Sequence, residues 1–167
     1  MNYGKIKSVD VANGEGVRVS VFVSGCPHHC KGCFNPELWN HNAGEQFDYE
    51  TINEILNLCS KDYITGLSLL GGEPLAPENI EQVSLLCCAF KTRFPKKDIW
   101  CYTGYEWENV SHLLIMRWID VLVDGKFVEE MKDPRLKFRG SSNQRIIDVK
   151  KSLESKCVYL MRDLMCD

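Results

Sequence analysis

Three cysteines within eight residues form the strongest chemical signal in the chain. Cys26, Cys30 and Cys33 follow the spacing C-x₃-C-x₂-C in a loop, residues 24–35, that contains glycine and proline. These two residue types allow the tight winding that brings three thiols together. Thiolates are preferred ligands of soft metal centres, so the spacing predicts that this loop binds a metal.

Three interpretations of the loop are open. A structural zinc site would be completed as Cys₃His by His28 or His29, although zinc ligands usually come as C-x₂-C with a distant second pair. Free thiols in an ordinary loop are the second interpretation, which the close spacing disfavours. A [4Fe–4S] cluster is the third; it ordinarily takes four cysteines, so three would leave one iron open. An open metal position is typical of catalytic rather than structural sites, and the sequence favours this third interpretation.

A second group of residues suited to ligand binding is Gly71-Gly72-Glu73-Pro74, which follows a short apolar run at residues 64–70. Glycines at the end of a strand let the backbone approach a ligand closely. Their N–H and C=O groups can bind a small zwitterion, and the neighbouring carboxylate can pair with a cation. In isolation, a plain strand-to-helix turn is the favoured explanation of the motif. Its position one strand after the cysteine loop favours a shared site.

Hydrophobic periodicity predicts alternating strands and helices that would position these motifs. The predicted strands span residues 17–24, 64–70, 98–103 and 119–123, with two candidate last strands at 145–149 and 157–161. Asp48 is the expected N-cap of the first helix, with Phe47 packing onto Ile52. Pro77 suits the first turn of a second helix, and residues 107–116 form a third.

This order of elements predicts an α/β fold with a mostly parallel sheet, because helices between strands make βαβ units. A complete eight-fold barrel needs about 250 residues, and at least about 200. The chain has 167, so we expect a partial β/α barrel or an open sheet, as one domain over residues 1–167. In both architectures ligands bind at the carboxyl ends of the strands.

Composition excludes several classes of protein. Nine cysteines are an odd number, so they cannot all pair as internal disulfides, and a reducing, cytoplasmic location is expected. The first ten residues lack the apolar run of a signal peptide, and no stretch reaches the roughly 18 apolar residues of a membrane span. The net charge of −3 argues against nucleic acid as the main ligand. The cysteines without metal-ligand spacing are Cys59, Cys87, Cys88, Cys101, Cys157 and Cys166, and core packing is the default reading for Cys59 and Cys87.

The cysteine spacing after a first strand resembles the signature of the radical S-adenosylmethionine (SAM) superfamily. The glycine motif resembles the "GGE" motif of the same family. The resemblance implies a partial β/α barrel and a [4Fe–4S] cluster held by Cys26, Cys30 and Cys33. It also implies that the amino and carboxylate groups of SAM chelate the open iron. The reduced cluster then cleaves SAM into methionine and a 5′-deoxyadenosyl radical, a chemistry that the cofactors carry and the protein orients.

The resemblance also implies which residues contact SAM. Gly32, Cys33 and Phe34 would line it from the loop, with Phe34 on the adenine side. Gly72 would meet the amino group, with Gly71 and Glu73 in support. His28 and His29 are not needed by the cluster and are interpreted as exterior loop residues.

Polar residues at the ends of the third and fourth strands are further candidates for the SAM site. Tyr102, Asp124 and Lys126 occupy these strand ends, where the ligand should lie. Asn143 and Arg145 suit a contact with the SAM carboxylate or with a partner. No general acid–base pair is expected, because hydrogen-atom transfer depends on position more than on proton transfer.

Finer motifs resemble one subfamily, the proteins that activate anaerobic ribonucleoside-triphosphate reductase. They are residues 14–18, residues 33–39, the turn Asp124-Gly125-Lys126-Phe127 and residues 140–145, and the resemblance covers about residues 11–149. It implies that the adenosyl radical removes a Cα hydrogen from a glycine near the C-terminus of the reductase, leaving a stored glycyl radical. Glycine has no side chain to block the approach. A low-potential electron donor such as flavodoxin is implied, and a homodimer or a heterotetramer with the reductase is compatible.

Three other functions stay open from the sequence. An activase for another glycyl-radical enzyme, of the formate-lyase or dehydratase type, would use the same chemistry. A small radical SAM synthase acting on a pterin or nucleoside base would need a closed pocket, which a chain this short builds poorly. A zinc-binding interaction module would have no catalytic activity.

Overall fold

The structure is a computed structural model that describes residues 1–165, so Cys166 lies outside the described residues. Seven strands of the described chain form one sheet in the spatial order β3-β1-β2-β4-β5-β6-β7. The strands are β1 (Asn2–Asp10), β2 (Arg18–Val23), β3 (Glu45–Gln46), β4 (Gly66–Gly71), β5 (Asp98–Tyr102), β6 (Val121–Asp124) and β7 (Arg145–Asp148). The helices are α1 (Tyr49–Cys59), α2 (Ile80–Arg93), α3 (Trp107–Val110) and α4 (Val149–Ser155), with 3₁₀ turns at Pro36–Leu38, Leu114–Arg117, Glu129–Met131 and Arg162–Leu164.

The sheet is parallel in its centre and antiparallel at its edges. β2, β4, β5 and β6 pair in parallel. β1 pairs antiparallel with β2 and β3, and β7 pairs antiparallel with β6. Parallel neighbours need a crossover of a dozen or more residues, so the short connection between β1 and β2 imposes the antiparallel pairing. The predicted α/β class and the parallel centre are confirmed.

Helix α1 begins where the sequence predicts. The Asp48 carboxylate accepts a hydrogen bond from the Thr51 N–H at 2.9 Å, and the Thr51 side chain caps back onto Asp48. Phe47 is buried beside it. α2 begins at Ile80, whereas Pro77 lies in the turn that precedes it. α1 buries Ile52, Ile55, Leu56 and Cys59, and α2 buries Val83, Cys87 and Phe90.

Side chains of the central strands alternate between two faces of the sheet. The face toward the helices carries Val19, Val21, Val23, Leu67, Leu69, Ile99, Cys101 and Leu122. The opposite face carries Arg18, Phe22, Ser68, Leu70, Trp100 and Tyr102. Arg18 is fully buried there, and its Nε donates to the Ser68 hydroxyl at 2.7 Å. This second face therefore supports the site at the carboxyl ends of the strands.

Several elements differ from the sequence prediction. The helix expected at 107–116 is a single α-turn, α3, followed by the 3₁₀ turn Leu114–Arg117. Residues 157–161 contribute one isolated bridge, Leu160 with Ile147, instead of a strand. The sequence analysis did not find β1 or α4. Both are hard to detect because few of their side chains are buried, so the apolar periodicity is weak.

The cysteines outside the loop divide by burial. Cys59, Cys87 and Cys101 are buried thiols, as expected for Cys59 and Cys87, and Cys88 and Cys157 are exposed. Burial raises the pKa of Cys59 to about 12, which makes this thiol inert. None of the helices in the described part of the chain has the length and apolar character needed to cross a membrane.

Candidate functional site

The cysteine loop (residues 24–35) and the turn Gly71-Gly72-Glu73-Pro74 (the glycine turn) leave the sheet at the same edge. β2 and β4 are parallel neighbours, with Val23 opposite Gly71, so the loop after β2 meets the turn after β4. The loop is fixed at its start, where the Gly25 N–H donates to the Leu38 carbonyl at 2.8 Å. The two motifs therefore meet at the carboxyl ends of adjacent strands, as the sequence predicts.

A cavity of about 420 Å³ opens at this edge, and Cys26, Cys30 and Cys33 (the loop cysteines) all line it. Gly72 and Tyr102 line the same cavity from the ends of β4 and β5. Its volume lies within the range of about 300–1,000 Å³ that is usual for small-molecule sites. The sequence-predicted residues Phe34, Gly71 and Glu73 also belong to its wall.

The loop cysteines are free thiols, each partly exposed. Burial raises the pKa of Cys26 and of Cys30, and backbone N–H groups directed at their sulfur atoms oppose this shift. The donors are the N–H groups of His28 and His29 at Cys26, of Phe127 at Cys30 and of Asn35 at Cys33. Hydrogen bonds to sulfur help to set the potential of iron–sulfur clusters, so these N–H groups suit a cluster site.

The donor set fits a cluster better than it fits one ion. Among the described residues, no three His, Cys, Asp or Glu side chains are arranged to hold a metal ion. A four-iron cluster binds each thiolate through a different iron, so its ligands are spaced by the width of the cluster. The three thiols that line one cavity are the type of ligand that holds iron–sulfur clusters.

The glycine turn lies directly on the cysteine loop. The Gly72 N–H donates to the Val23 carbonyl at 2.7 Å, and the Glu73 N–H donates to the Gly25 carbonyl at 2.8 Å. A Cβ at position 72 would lie 2.5 Å from the Gly25 oxygen, so the contact requires glycine. Gly71 has a φ of +106°, which glycine alone adopts readily. Because these two N–H groups are bonded within the protein, they are not available to a ligand.

The Glu73 carboxylate is fully buried and bound by protein donors. Its Oε1 accepts from the Leu75 N–H at 3.0 Å and the Thr103 hydroxyl at 2.8 Å. Its Oε2 accepts from the Gly104 N–H at 2.7 Å and lies 2.9 Å from His28 Nε2. The sequence predicts that the Glu73 carboxylate pairs with a ligand cation. In the structure its hydrogen bonds instead connect segments of the cavity wall.

The two histidines of the loop point in opposite directions. The expectation that His28 lies on the exterior is wrong: its side chain is 7% exposed and reaches Glu73. Its ring packs edge-on against Tyr105, with the centroids 4.6 Å apart. His29 is exposed as predicted and stacks on Trp39 at 4.7 Å.

Tyr102 is the strand-end residue that the structure brings into the cavity. It shares a sheet face with Trp100, and its hydroxyl is buried without a hydrogen-bond partner among the described residues. Burial raises the pKa of Tyr102, so the hydroxyl keeps its proton. A neutral hydroxyl without a partner is a donor available to a bound ligand.

Asp124, Lys126, Asn143 and Arg145 line a neighbouring groove of about 830 Å³ instead of the cysteine cavity. The Asp124 carboxylate accepts from the Trp107 N–H at 2.7 Å, at the start of α3, and pairs with Arg145. Arg145 also pairs with Glu108 at 2.9 Å. A contact of these four groove residues with SAM stays a prediction.

Three further residues that the sequence predicts for the SAM site, Asn143, Gly32 and Phe34, lie at or beyond the rim of the cavity. Asn143 donates to the Lys126 carbonyl at 2.9 Å and so fixes the turn after β6. Gly32, with a φ of +70°, lies against Glu129 and outside the cavity wall. Phe34 is 58% exposed at the rim, and its ring lies 5.0 Å from that of Phe127.

The sequence analysis missed basic residues that line the cysteine cavity. Lys5 and Lys7 reach it from β1, and Arg139 reaches it from the segment between β6 and β7. Arg139 donates to the Gln144 carbonyl at 3.1 Å, while its buried Nε has no partner among the described residues. Arg139 lies in an irregular polar segment, and no spacing in the sequence links it to the cysteines.

Comparison with known proteins gives the class first. Residues 12–147 match the family described as a 4Fe-4S single cluster domain, so the chain belongs to a family of iron–sulfur proteins.

Relatives narrow this to a particular family. Three are named anaerobic ribonucleoside-triphosphate reductase-activating protein. The relative from Enterobacteria phage T4 is 45% identical over 146 residues, covering 87% of this chain and 93% of the relative. The relative from Escherichia coli (strain K12) is 43% identical over 148 residues, with coverage of 86% and 96%. The relative from Vibrio cholerae is 44% identical over 150 residues, with coverage of 87% and 97%. The chain belongs to the family of anaerobic ribonucleoside-triphosphate reductase-activating proteins.

Proposed function

We propose that this protein is an oxidoreductase that uses a [4Fe–4S] cluster and SAM to generate a glycyl radical on anaerobic ribonucleoside-triphosphate reductase. One observation carries the proposal: the three loop cysteines open into the same cavity as the glycine turn. The reductase is proposed as the protein substrate because members of the family to which the chain belongs are named as its activating proteins. When bound, the cluster and SAM supply the 5′-deoxyadenosyl radical.

The cluster ligands in this proposal are Cys26, Cys30 and Cys33. Each is a free thiol on the cavity wall, and each receives at least one backbone N–H. The fourth iron position is left to SAM. The match of residues 12–147 to a 4Fe–4S domain supports the cluster.

The SAM site in this proposal is the remaining wall of the same cavity. The carbonyl oxygens of Gly71 and Gly72 accept hydrogen bonds from the ammonium group. The unpartnered Nε of Arg139 suits the carboxylate, because guanidinium donors match carboxylate oxygens. The Tyr102 hydroxyl is a further donor, and Phe34 at the rim suits the adenine ring.

The chain's own task is to orient these groups and to exclude water. Residues 1–167 would act as one radical SAM domain with a partial β/α barrel. The parallel strands β2, β4, β5 and β6 would form that partial barrel. A target glycine from the reductase must enter the open side of the cavity. The electron donor in this proposal is a low-potential protein of the flavodoxin type, acting in the cytoplasm.

The decisive experiment is an anaerobic mixture of the reconstituted protein, the reductase, SAM and a low-potential reductant. We expect the doublet of a glycyl radical by electron paramagnetic resonance, together with one methionine released per SAM cleaved. Formate-lyase in place of the reductase is the control for a different glycyl-radical partner. A signal with formate-lyase and none with the reductase would reassign the substrate. A colourless preparation containing only zinc would refute the cluster.

A further inference from the structure

The Glu73 carboxylate joins three separate segments of the cavity wall. Leu75 belongs to the glycine turn, Thr103 and Gly104 follow β5, and His28 belongs to the cysteine loop. The Thr103 hydroxyl receives the Tyr105 N–H at 3.1 Å, so its own proton is free to be donated to Glu73. A carboxylate with four donors and no exposed surface is a fixed point of the fold.

His28 is the link from the cysteine loop to this fixed point. Its Nε2 atom lies 2.9 Å from Glu73 Oε2, and the tautomer with a proton on Nε2 donates a hydrogen bond to the carboxylate. The ring is held from both sides: it packs against Tyr105, and a Cβ at position 104 would lie 2.3 Å from it. The side chain therefore has a single position defined by the sheet edge and not by the loop itself.

The hydrogen bond between His28 and Glu73 matters for the cysteines because of where His28 lies in the motif. His28 lies between Cys26 and Cys30, two residues from each. Its backbone N–H and that of His29 lie near the Cys26 sulfur. Fixing the His28 ring therefore fixes the direction of the Cys26 thiol and the path of the chain toward Cys30.

We propose that His28 is a positioning residue that fastens the cysteine loop to the sheet edge through Glu73. This link holds the thiols toward the cavity before any cluster is assembled. The inference rests on the proposed function for its meaning, but it concerns contacts within the chain itself. Residues that orient metal ligands typically change metal affinity by about 10–100-fold when they are lost.

Two amide substitutions separate the hydrogen bond from the mere presence of a polar side chain. In His28→Gln the terminal amide nitrogen takes the place of Nε2 and can still donate to Glu73. In His28→Asn the amide is one carbon shorter and cannot reach. His112→Asn is the matched control, because His112 is exposed and lies outside the cavity.

The first measurement is amide hydrogen exchange in the cluster-free protein over residues 26–35. We expect His28→Asn to exchange about tenfold faster or more, as for loss of a hydrogen bond to a charged group. His28→Gln and the control should match the wild type. The second measurement is the rate at which a chelator bleaches the visible absorbance of the reconstituted cluster. His28→Asn should bleach about 10–100-fold faster, with His28→Gln close to the wild type.

The outcomes separate this inference from the proposed function. Equal exchange and equal bleaching in His28→Asn and the wild type would overturn the positioning role, even if the wild type activates the reductase. Equal losses in His28→Asn and His28→Gln would also overturn it, because the hydrogen bond would then not be the cause. A wild-type protein that binds no iron would refute the proposed function, while the exchange measurement would still decide the role of His28.

Discussion

Replacing Tyr102 with phenylalanine should affect the free protein and the SAM complex in opposite directions. The Tyr102 hydroxyl is buried on the cavity wall without a partner among the described residues. A buried polar group without a hydrogen bond costs about 1–3 kcal/mol. Tyr102→Phe removes that penalty and keeps the ring in its place against Phe22 and Leu70. The free protein should therefore be at least as stable as the wild type.

The magnitudes follow from these contacts. For a chain of this size, 1 kcal/mol corresponds to about 2–4 °C in Tm. Removing a penalty of about 1–3 kcal/mol should therefore raise the Tm of the SAM-free Tyr102→Phe protein by about 2–12 °C. If the hydroxyl donates to SAM, its loss removes about 0.5–1.5 kcal/mol of binding. The Kd for SAM should then rise about 2- to 10-fold.

The assays are thermal unfolding of the cluster-free protein and a SAM binding isotherm on the anaerobically reconstituted enzyme. Tyr63→Phe is the matched control, because Tyr63 is 58% exposed and lies outside the cavity; it should change neither quantity. A fall in Tm for Tyr102→Phe would mean that the hydroxyl has a partner in the free protein. An unchanged Kd for SAM would remove Tyr102 from the SAM site.

Three further predictions follow from the structure. Alanine at any of the three loop cysteines should abolish the cluster absorbance and SAM cleavage, whereas Cys157→Ala, at an exposed thiol outside the cavity, should leave both intact. Retained iron in a loop-cysteine variant would refute the ligand assignment. Arg139→Gln should weaken SAM binding about tenfold, the effect of losing a hydrogen bond between charged groups. Arg145→Gln should lower Tm without changing the Kd for SAM. The reverse pattern would place Arg145, and not Arg139, in the SAM site. The N–H of Thr51 lowers the pKa of Asp48, so the stability this cap provides is complete above the unfolded-state pKa and is lost as the pH falls through the folded pKa. Asp48→Asn keeps an N-cap that does not titrate, and its Tm should therefore fall less than that of the wild type between about pH 5 and pH 2; parallel Tm curves would contradict this reasoning.

The cysteine loop and the glycine turn could be predicted from the sequence because their signals are local. A spacing of three thiols, or two glycines after an apolar run, keeps its meaning whatever the rest of the chain does. Their meeting then follows from one topological rule, that parallel strands carry their carboxyl ends to the same edge. The pairing of Val23 with Gly71 applies this rule directly.

The role of His28 could not be predicted because its partner is distant in the sequence. Nothing in the loop sequence indicates that the Glu73 carboxylate, 45 residues further along the chain, lies at hydrogen-bond distance from His28. A histidine between two metal-binding cysteines reads as a spare ligand or as an exterior residue. Only the closure of the loop over the end of β5, where Gly104 leaves room for the ring, gives it a third role.

Asp124 and Arg145 show why the direction of strand-end side chains could not be predicted from the sequence. Side chains alternate along a strand, so Asp124 shares the face of Leu122, and Arg145 shares that of Ile147. Both apolar residues belong to the core beneath the helices, and Asp124 and Arg145 lie opposite each other in the register of β6 and β7. Tyr102 shares the other face with Trp100 and therefore enters the cavity. In β6 the residues before Asp124 are all apolar and all buried, so the sequence contains no alternation from which its direction could be predicted. When both faces of a strand are apolar and buried, the sequence does not indicate which of its terminal side chains point toward the ligand.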